Sequence, residues 1–209
     1  MKSLIAKLGA WYLAALKTTG YPLIVAFMAL ESSIFPLPSE LVIPPAAHLA
    51  HTTGQFSYWG IVLAGTIGSW IGAAAMYWAS RWAGRPIVLR YGKYFFVPEE
   101  KVHAAERWAE RFGSFGVFIA RLLPVVRHLI GVPMGIVKMD FKLYSLFTIV
   151  GSAIWCSVLC VLGVQIGAEI DQGNRRLVTI WIIGTVAALA VLYYFFVHRH
   201  MKKSPPSGN

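Results

Sequence analysis

The sequence predicts an all-α integral membrane protein. The expected fold is a helical bundle of three long transmembrane helices and two opposed re-entrant helical hairpins, arranged like an inverted repeat, with amphipathic helices at the interface. Three observations lead there. The 209 residues are 57% hydrophobic and only 13% charged, against about 25% charged in an ordinary soluble domain, and the mean hydropathy is +0.60. Three uncharged stretches, 56–80, 143–168 and 177–197, each reach the ~20 residues that a bilayer crossing needs. Two further apolar segments, 21–54 and 112–137, are interrupted by prolines and charges. The hydrophobicity excludes disorder, and two cysteines are too few for a disulfide scaffold. A net charge of +10 could suit nucleic acid, but a soluble nucleic-acid module is not this apolar.

The elements follow in chain order. Residues 1–20 carry Leu4, Ile5, Leu8, Trp11, Tyr12, Ala15 and Leu16 as a helical stripe opposed by Lys7 and Thr18. An interfacial amphipathic helix fits that stripe better than a signal peptide, because Lys7 interrupts the core and no clear small-x-small site follows, and a tilted first crossing with the following apolar residues is the alternative. Residues 21–170 read as one membrane domain. Its first broken segment is helical up to Leu30, is stopped by Glu31, and continues through Pro36, Pro38, Glu40, Pro44 and Pro45. The second is helical up to Ala120, is stopped by Arg121, and continues through Pro124, Arg127 and Pro133. Neither half can span, and proline removes a donor and breaks the helix. Both segments therefore read as hairpins, with breaks at Pro36, Pro38, Pro124 and Pro133. Irregular backbone at depth is tolerated where it lines a cavity. A kinked ordinary span or a surface loop is the plainer alternative.

The first two long spans are rich in small residues, among them Gly68, Gly72, Gly151, Gly163 and Gly167, which let helices approach closely in lipid. Residues 98–112 alternate apolar and charged faces and read as a solvated rim helix. Residues 171–209 supply the last transmembrane helix, an aromatic belt at Tyr193, Tyr194, Phe195 and Phe196, and a basic tail. The basic residues between 81 and 111 and in that tail place both on the cytoplasmic side.

Ionised groups in hydrocarbon cost at least ~2.5–3.5 kcal/mol on insertion scales, so they need a reason. Glu31 and Glu40 sit in the first hairpin, Arg121 and Arg127 in the second. Oppositely charged half-spans entering from opposite faces neutralise each other near the midplane, as at the discontinuous helices of inverted-repeat transporters. Internal ion pairs that merely hold the bundle together are the alternative, and the two are compatible. The planar fork of arginine grips phosphate in two places, so Arg121 and Arg127 are expected to bind a phosphate head group together. Glu31 and Glu40 are the expected counter-charges and proton carriers.

The residues that carry this chemistry also resemble the DedA family of bacterial membrane proteins, which shares a domain with eukaryotic lipid scramblases. The resemblance rests on ESSIFPLPSE at 31–40 followed by LVIPPA, on RLLPVVRHLIGVPMG at 121–135, and on Phe141 and GSAIW at 151–155. It covers about residues 20 to 170. It implies a lipid translocase of the bacterial inner membrane that moves undecaprenyl phosphate, linked to the proton motive force, with phosphatidylethanolamine or general phospholipid scrambling as an alternative. It also implies that Glu31, Glu40, Arg121 and Arg127 are its working residues. Val125 and Met134 depart from the smaller residues common in the family at those places. From the residues alone, a proton-coupled antiporter of small cations or drugs stays open, as does a homo-oligomer. No nucleophile motif, nucleotide loop or metal set is present, so neither an enzyme nor a cofactor is expected. His48 and His51 share a helical spacing but lack further ligands, and Cys156 and Cys160 read as packing residues.

Overall fold

The computed structural model describes residues 2–33, 38–91, 113–123, 127–128, 130–171 and 184. Among them every regular element is helical: α1 (Lys2–Thr19), α2 (Tyr21–Glu31), a 3-10 turn (Ser39–Leu41), α3 (Ile43–Thr53), α4 (Tyr58–Tyr91), α5 (Phe115–Leu122), α6 (Gly131–Ile136) and α7 (Phe141–Asp171). Pro36, Pro124, the rim helix at 98–112, the span at 177–197 apart from Gly184, and the basic tail lie outside the described residues. Two of the described helices are long and apolar enough to cross a membrane, over Tyr58–Ala83 in α4 and Phe141–Glu169 in α7.

The prolines that interrupt the sequence pattern mark helix starts as well as breaks. Pro44 sits in the first turn of α3, and Pro133 is the third residue of α6. A helix leaves its first four N–H groups without internal partners, so proline costs little there. Pro38, with φ −66° and ψ 121°, precedes the 3-10 turn. Asp140 caps α7, its Oδ1 accepting from the N–H groups of Lys142 and Leu143 at 2.9 and 3.0 Å. Gly54 ends α3 in the left-handed region at φ +66°.

The short helices pack on the two long ones in a repeated, exchanged pattern. In the first broken segment α2 lies on α4 and α3 on α7; in the second, α5 lies on α7 and α6 on α4. Each first arm thus packs on the long helix that follows it, and each second arm on the long helix of the other half. The contacts match residue for residue at one point. A Cβ on Gly68 would meet the Val25 carbonyl and the Met28 side chain, while one on Gly151 would meet the Phe118 carbonyl and the Arg121 side chain. Arg121 therefore occupies, in the second half, the place that Met28 holds in the first. Both glycines are followed by a buried serine, Ser69 and Ser152.

Two apolar clusters result. One gathers Leu16, Ile24, Met28, Ile43 and Ile61 with Trp155 and Leu159; the other gathers Ala73, Tyr77, Val117, Ile130, Met134 and Tyr144. Met134 is buried within this second cluster. α1 joins the first through buried Tyr12 and Leu16, with the Tyr12 hydroxyl donating to the Val42 carbonyl at 2.9 Å. Buried polar residues, including Glu31, Ser32, Ser69, Arg121, Arg127, Thr148 and Ser152, lie on the elements between them.

The close approach of α2 and α4 leaves no room for a side chain at Gly72, whose added Cβ would strike the Ala29 carbonyl. Gly72→Val should cost about 2 kcal/mol or more of stability. Gly54→Asn should cost little, because nothing lies within 4 Å of an added Cβ there and asparagine tolerates the left-handed conformation. Thermal unfolding of the detergent-purified protein measures both, and equal melting temperatures would show that the α2–α4 contact does not hold the fold.

Candidate functional site

α2 ends at Glu31, and Arg127, beyond α5 in the second broken segment, lies against it. Oε1 of Glu31 lies 2.6 Å from Nη2 of Arg127. The contact is an ion pair by distance, although its angle falls outside hydrogen-bond geometry. Both residues are almost fully buried, Glu31 1% and Arg127 4% exposed. A hydroxyl, an imidazole and an indole surround the pair. Ser32 Oγ donates to Glu31 Oε2 at 3.0 Å, and His128 Nδ1 meets the Glu31 carbonyl oxygen at 3.0 Å. The Arg127 guanidinium stands over the Trp155 ring at 5.3 Å, and the Trp155 indole N–H donates to Ser39 Oγ at 3.2 Å. The 3-10 turn is thereby tied through Trp155 to the arginine of the other broken segment. Ser32 lies against Gly72 and Arg127 against Trp155, near the centres of the long apolar stretches of α4 and α7. The pair is level with the middle of both stretches.

Arg121 takes a different direction. Its stem crosses Gly151, and its Nη2 donates to the Tyr144 hydroxyl at 3.0 Å. Tyr144 in turn donates to the Ala73 carbonyl at 3.2 Å and stacks on Tyr77 with ring centroids 4.9 Å apart. The two anchor residues on α7, Tyr144 for Arg121 and Trp155 for Arg127, are about 16 Å apart along the helix axis. The arginines expected to grip one head group together are thus held by different partners at different levels. Arg121 is 3% exposed, and no carboxylate pairs with it among the described residues. Its Nε and the Nη1 of Arg127 are buried donors without a partner there.

Glu40 stands apart, exposed in the first turn of the 3-10 helix, and no ion pair among the described residues includes it. Pro38 is exposed beside it, and Pro133 is buried in α6. His48 and His51 share no site: His48 packs over Gly167, while His51 Nδ1 meets the Tyr58 hydroxyl at 3.1 Å. His51 and Tyr58 edge an open, mainly apolar cavity of about 560 Å³ walled by Trp59, Val62, Val161 and Val164. Cys156 and Cys160 are free thiols, both buried. Sequence reasoning missed Tyr77, Tyr144, Ser39 and Trp155 as parts of the polar network. The one available signal was a tyrosine or tryptophan inside an apolar helix, whose polar end needs a partner when buried.

The VTT domain matches residues 43–165. The chain belongs to the VTT-domain, or DedA, family. It is 32% identical over 197 residues to undecaprenyl phosphate transporter A of Bacillus subtilis, covering 94% of this chain and 95% of that protein. The transporter of the same name from Staphylococcus aureus is 27% identical over 84% of this chain and 88% of its own length. A Lactococcus lactis subsp. cremoris relative, named an alkaline phosphatase-like protein, is 29% identical over 88% of this chain and 92% of its own. No solved structure matches the chain. These relatives make it a bacterial membrane protein of a transporter family.

Breaking one half of a buried pair leaves an unpaired charge, so Glu31→Gln and Arg127→Gln should each lose about 3–5 kcal/mol of stability. The double variant should regain part of that loss, because neither charge is then stranded. Thermal unfolding of the three variants measures the coupling, and strictly additive losses would show that the pair does not couple the two segments.

Proposed function

We propose that this protein moves phosphate-headed lipid carriers, of the undecaprenyl phosphate kind, across the bacterial cytoplasmic membrane. The observation that carries the reading is Arg121: a cation buried beside apolar helices, held among the described residues by the hydroxyl of Tyr144, with its Nε unpaired there. A buried charge without an ionic partner is costly, and a dianionic phosphate head group would supply that partner. The family and the transporter-named relatives support the same class of substrate. The exchanged packing of the short helices supports reading each broken segment as a re-entrant hairpin, entering from opposite faces, with an apolar cavity beside them for a lipid chain.

On this reading, the phosphate meets Arg121 and then displaces the Glu31 carboxylate from Arg127. Glu31, no longer held by a cation, takes up a proton, and the site stays near neutrality through the exchange. When the head group leaves, Glu31 gives up that proton and pairs with Arg127 again. Proton movement is thereby tied to phosphate movement. Exposed Glu40 lies on the 3-10 turn that Ser39 anchors to Trp155, where it can pass protons toward the break. The phosphate monoester itself is neither formed nor cleaved, so the reading is of transport and not of catalysis.

Reconstituted into liposomes, wild-type protein should carry undecaprenyl phosphate between leaflets, faster when a pH gradient is imposed, and should release no free phosphate. Arg121→Gln should slow the movement by about tenfold or more, the value of a charge-assisted hydrogen bond to phosphate, while the folded protein remains in the membrane. Glu31→Gln should lose the response to the gradient. Movement by Arg121→Gln at the wild-type rate would overturn the assignment, and movement of small cations that ignores Arg121 would favour an antiporter instead.

A further inference from the structure

A second arginine shares the tyrosine stack that holds Arg121. Arg81 lies one turn beyond Tyr77 on α4, and its Nη1 donates to the Tyr77 hydroxyl at 2.7 Å. Tyr77 passes a hydrogen bond on to the Met139 carbonyl, just before α7. The guanidinium also stands 5.9 Å from the Tyr77 ring centroid and 5.6 Å from that of Trp78. Tyr77 stacks on Tyr144, and Tyr144 accepts from Arg121. Two cations are therefore fixed on the two rings of one stacked pair. Among the described residues neither has an ionic partner, and the acid at this end of α7, Asp140, is committed to capping the helix.

The level of Arg81 is set by its neighbours. It falls at the end of the apolar stretch Tyr58–Ala83. Trp78 and Trp82 are 37% and 80% exposed there, the arrangement of an aromatic belt at a membrane–water interface. Lys138 and Lys142, both exposed, lie at the α7 end of the same region. Arg81 is only partly buried, so a head group can reach it from the interface, whereas Arg121 and Arg127 are closed off within the bundle. Along α4 and α7 the three arginines descend in order: Arg81 beside Met139, Arg121 between Tyr144 and Gly151, and Arg127 at Trp155.

We propose that Arg81, seated on Tyr77 and Trp78, is a receiving site for the phosphate head group of a membrane lipid, which the stacked Tyr77–Tyr144 pair links to Arg121. This rests on the reading that Arg121 accepts a lipid phosphate and adds where that head group first binds. A phosphate monoester carries nearly two negative charges at neutral pH, which a cation with a planar donor fork at the interface matches. The exposed indoles beside it favour a lipid over free phosphate, since the chain below the head group has apolar surface to lie on.

Trp78 is a built-in reporter for the test. Full-length protein in phosphatidylcholine nanodiscs is titrated with farnesyl phosphate, with farnesol and with inorganic phosphate, and the emission of Trp78→Phe is subtracted from that of wild type. Farnesyl phosphate should change the difference spectrum saturably, and added salt should weaken the effect. Farnesol and inorganic phosphate at equal concentration should leave it unchanged. Arg81→Gln, checked for folding by thermal unfolding, should bind farnesyl phosphate about tenfold or more weakly, and Arg81→Lys should fall between, keeping the charge without the fork. Equal binding by Arg81→Gln, a response to farnesol, or a wild-type response indifferent to salt would overturn the proposal. A full response to inorganic phosphate alone would replace the lipid head group with free phosphate as the ligand and overturn it too. Wild-type protein that binds at Trp78 but moves no lipid phosphate in liposomes would defeat the translocase reading and leave this binding site standing. Wild-type protein that moves the lipid while Arg81→Gln binds unimpaired would defeat only the receiving site.

Discussion

The contact between Glu31 and Arg127 is the constraint on which the rest of this structure depends. Two charges cannot rest alone among apolar helices, and their attraction is worth having only if the geometry is good and their other atoms are satisfied. Glu31 closes α2, and Arg127 lies beyond α5 in the second broken segment. Ser32, His128 and Trp155 surround the pair, while Nη1 of Arg127 has no partner among the described residues. Because the partners come from two distant segments, the pair also brings those segments to one level. The glycines of α4 and α7 are the complement of this arrangement, since they let the short helices come close enough for the charges to meet.

The two arginines of the second segment are not equivalent. Arg127 is neutralised by an acid of the protein, while Arg121 is held by neutral tyrosine. The repeated packing explains part of this difference. Arg121 occupies the position that a methionine fills in the first half, where the same glycine contact is apolar. The two halves thus share a scaffold but not a chemistry: among the described residues Arg121 has no carboxylate partner, while Arg127 has one.

A division of labour along the long helices accompanies this asymmetry. Toward the end of α4 and the start of α7 lie the stacked tyrosines and the partly buried Arg81. Toward the start of α4 and the end of α7 lies the apolar cavity bordered by His51 and Tyr58. A lipid with a charged head and a long apolar chain presents the same division within one molecule.

Much of the fold was legible in the sequence, because composition and uninterrupted apolar length are local properties that the bilayer reads directly. The two spans in α4 and α7 follow from them, as do the breaks near Glu31 and Arg121 and the need for those charges to be neutralised. The partners of each charge were not legible. Glu31 and Glu40 look alike on paper, yet one is buried at the end of α2 and the other exposed on the 3-10 turn. Arg121 and Arg127 are six residues apart, yet their anchors on α7 lie on different turns. Tyr144, Tyr77 and Trp155 carry no charge and read as ordinary span residues. By itself the sequence determined that this chain is a membrane protein whose two broken segments carry four charges. Only the tertiary structure decided which of them meet, because pairing depends on how α4 and α7 bring distant segments to a common depth, and no local pattern records that distance.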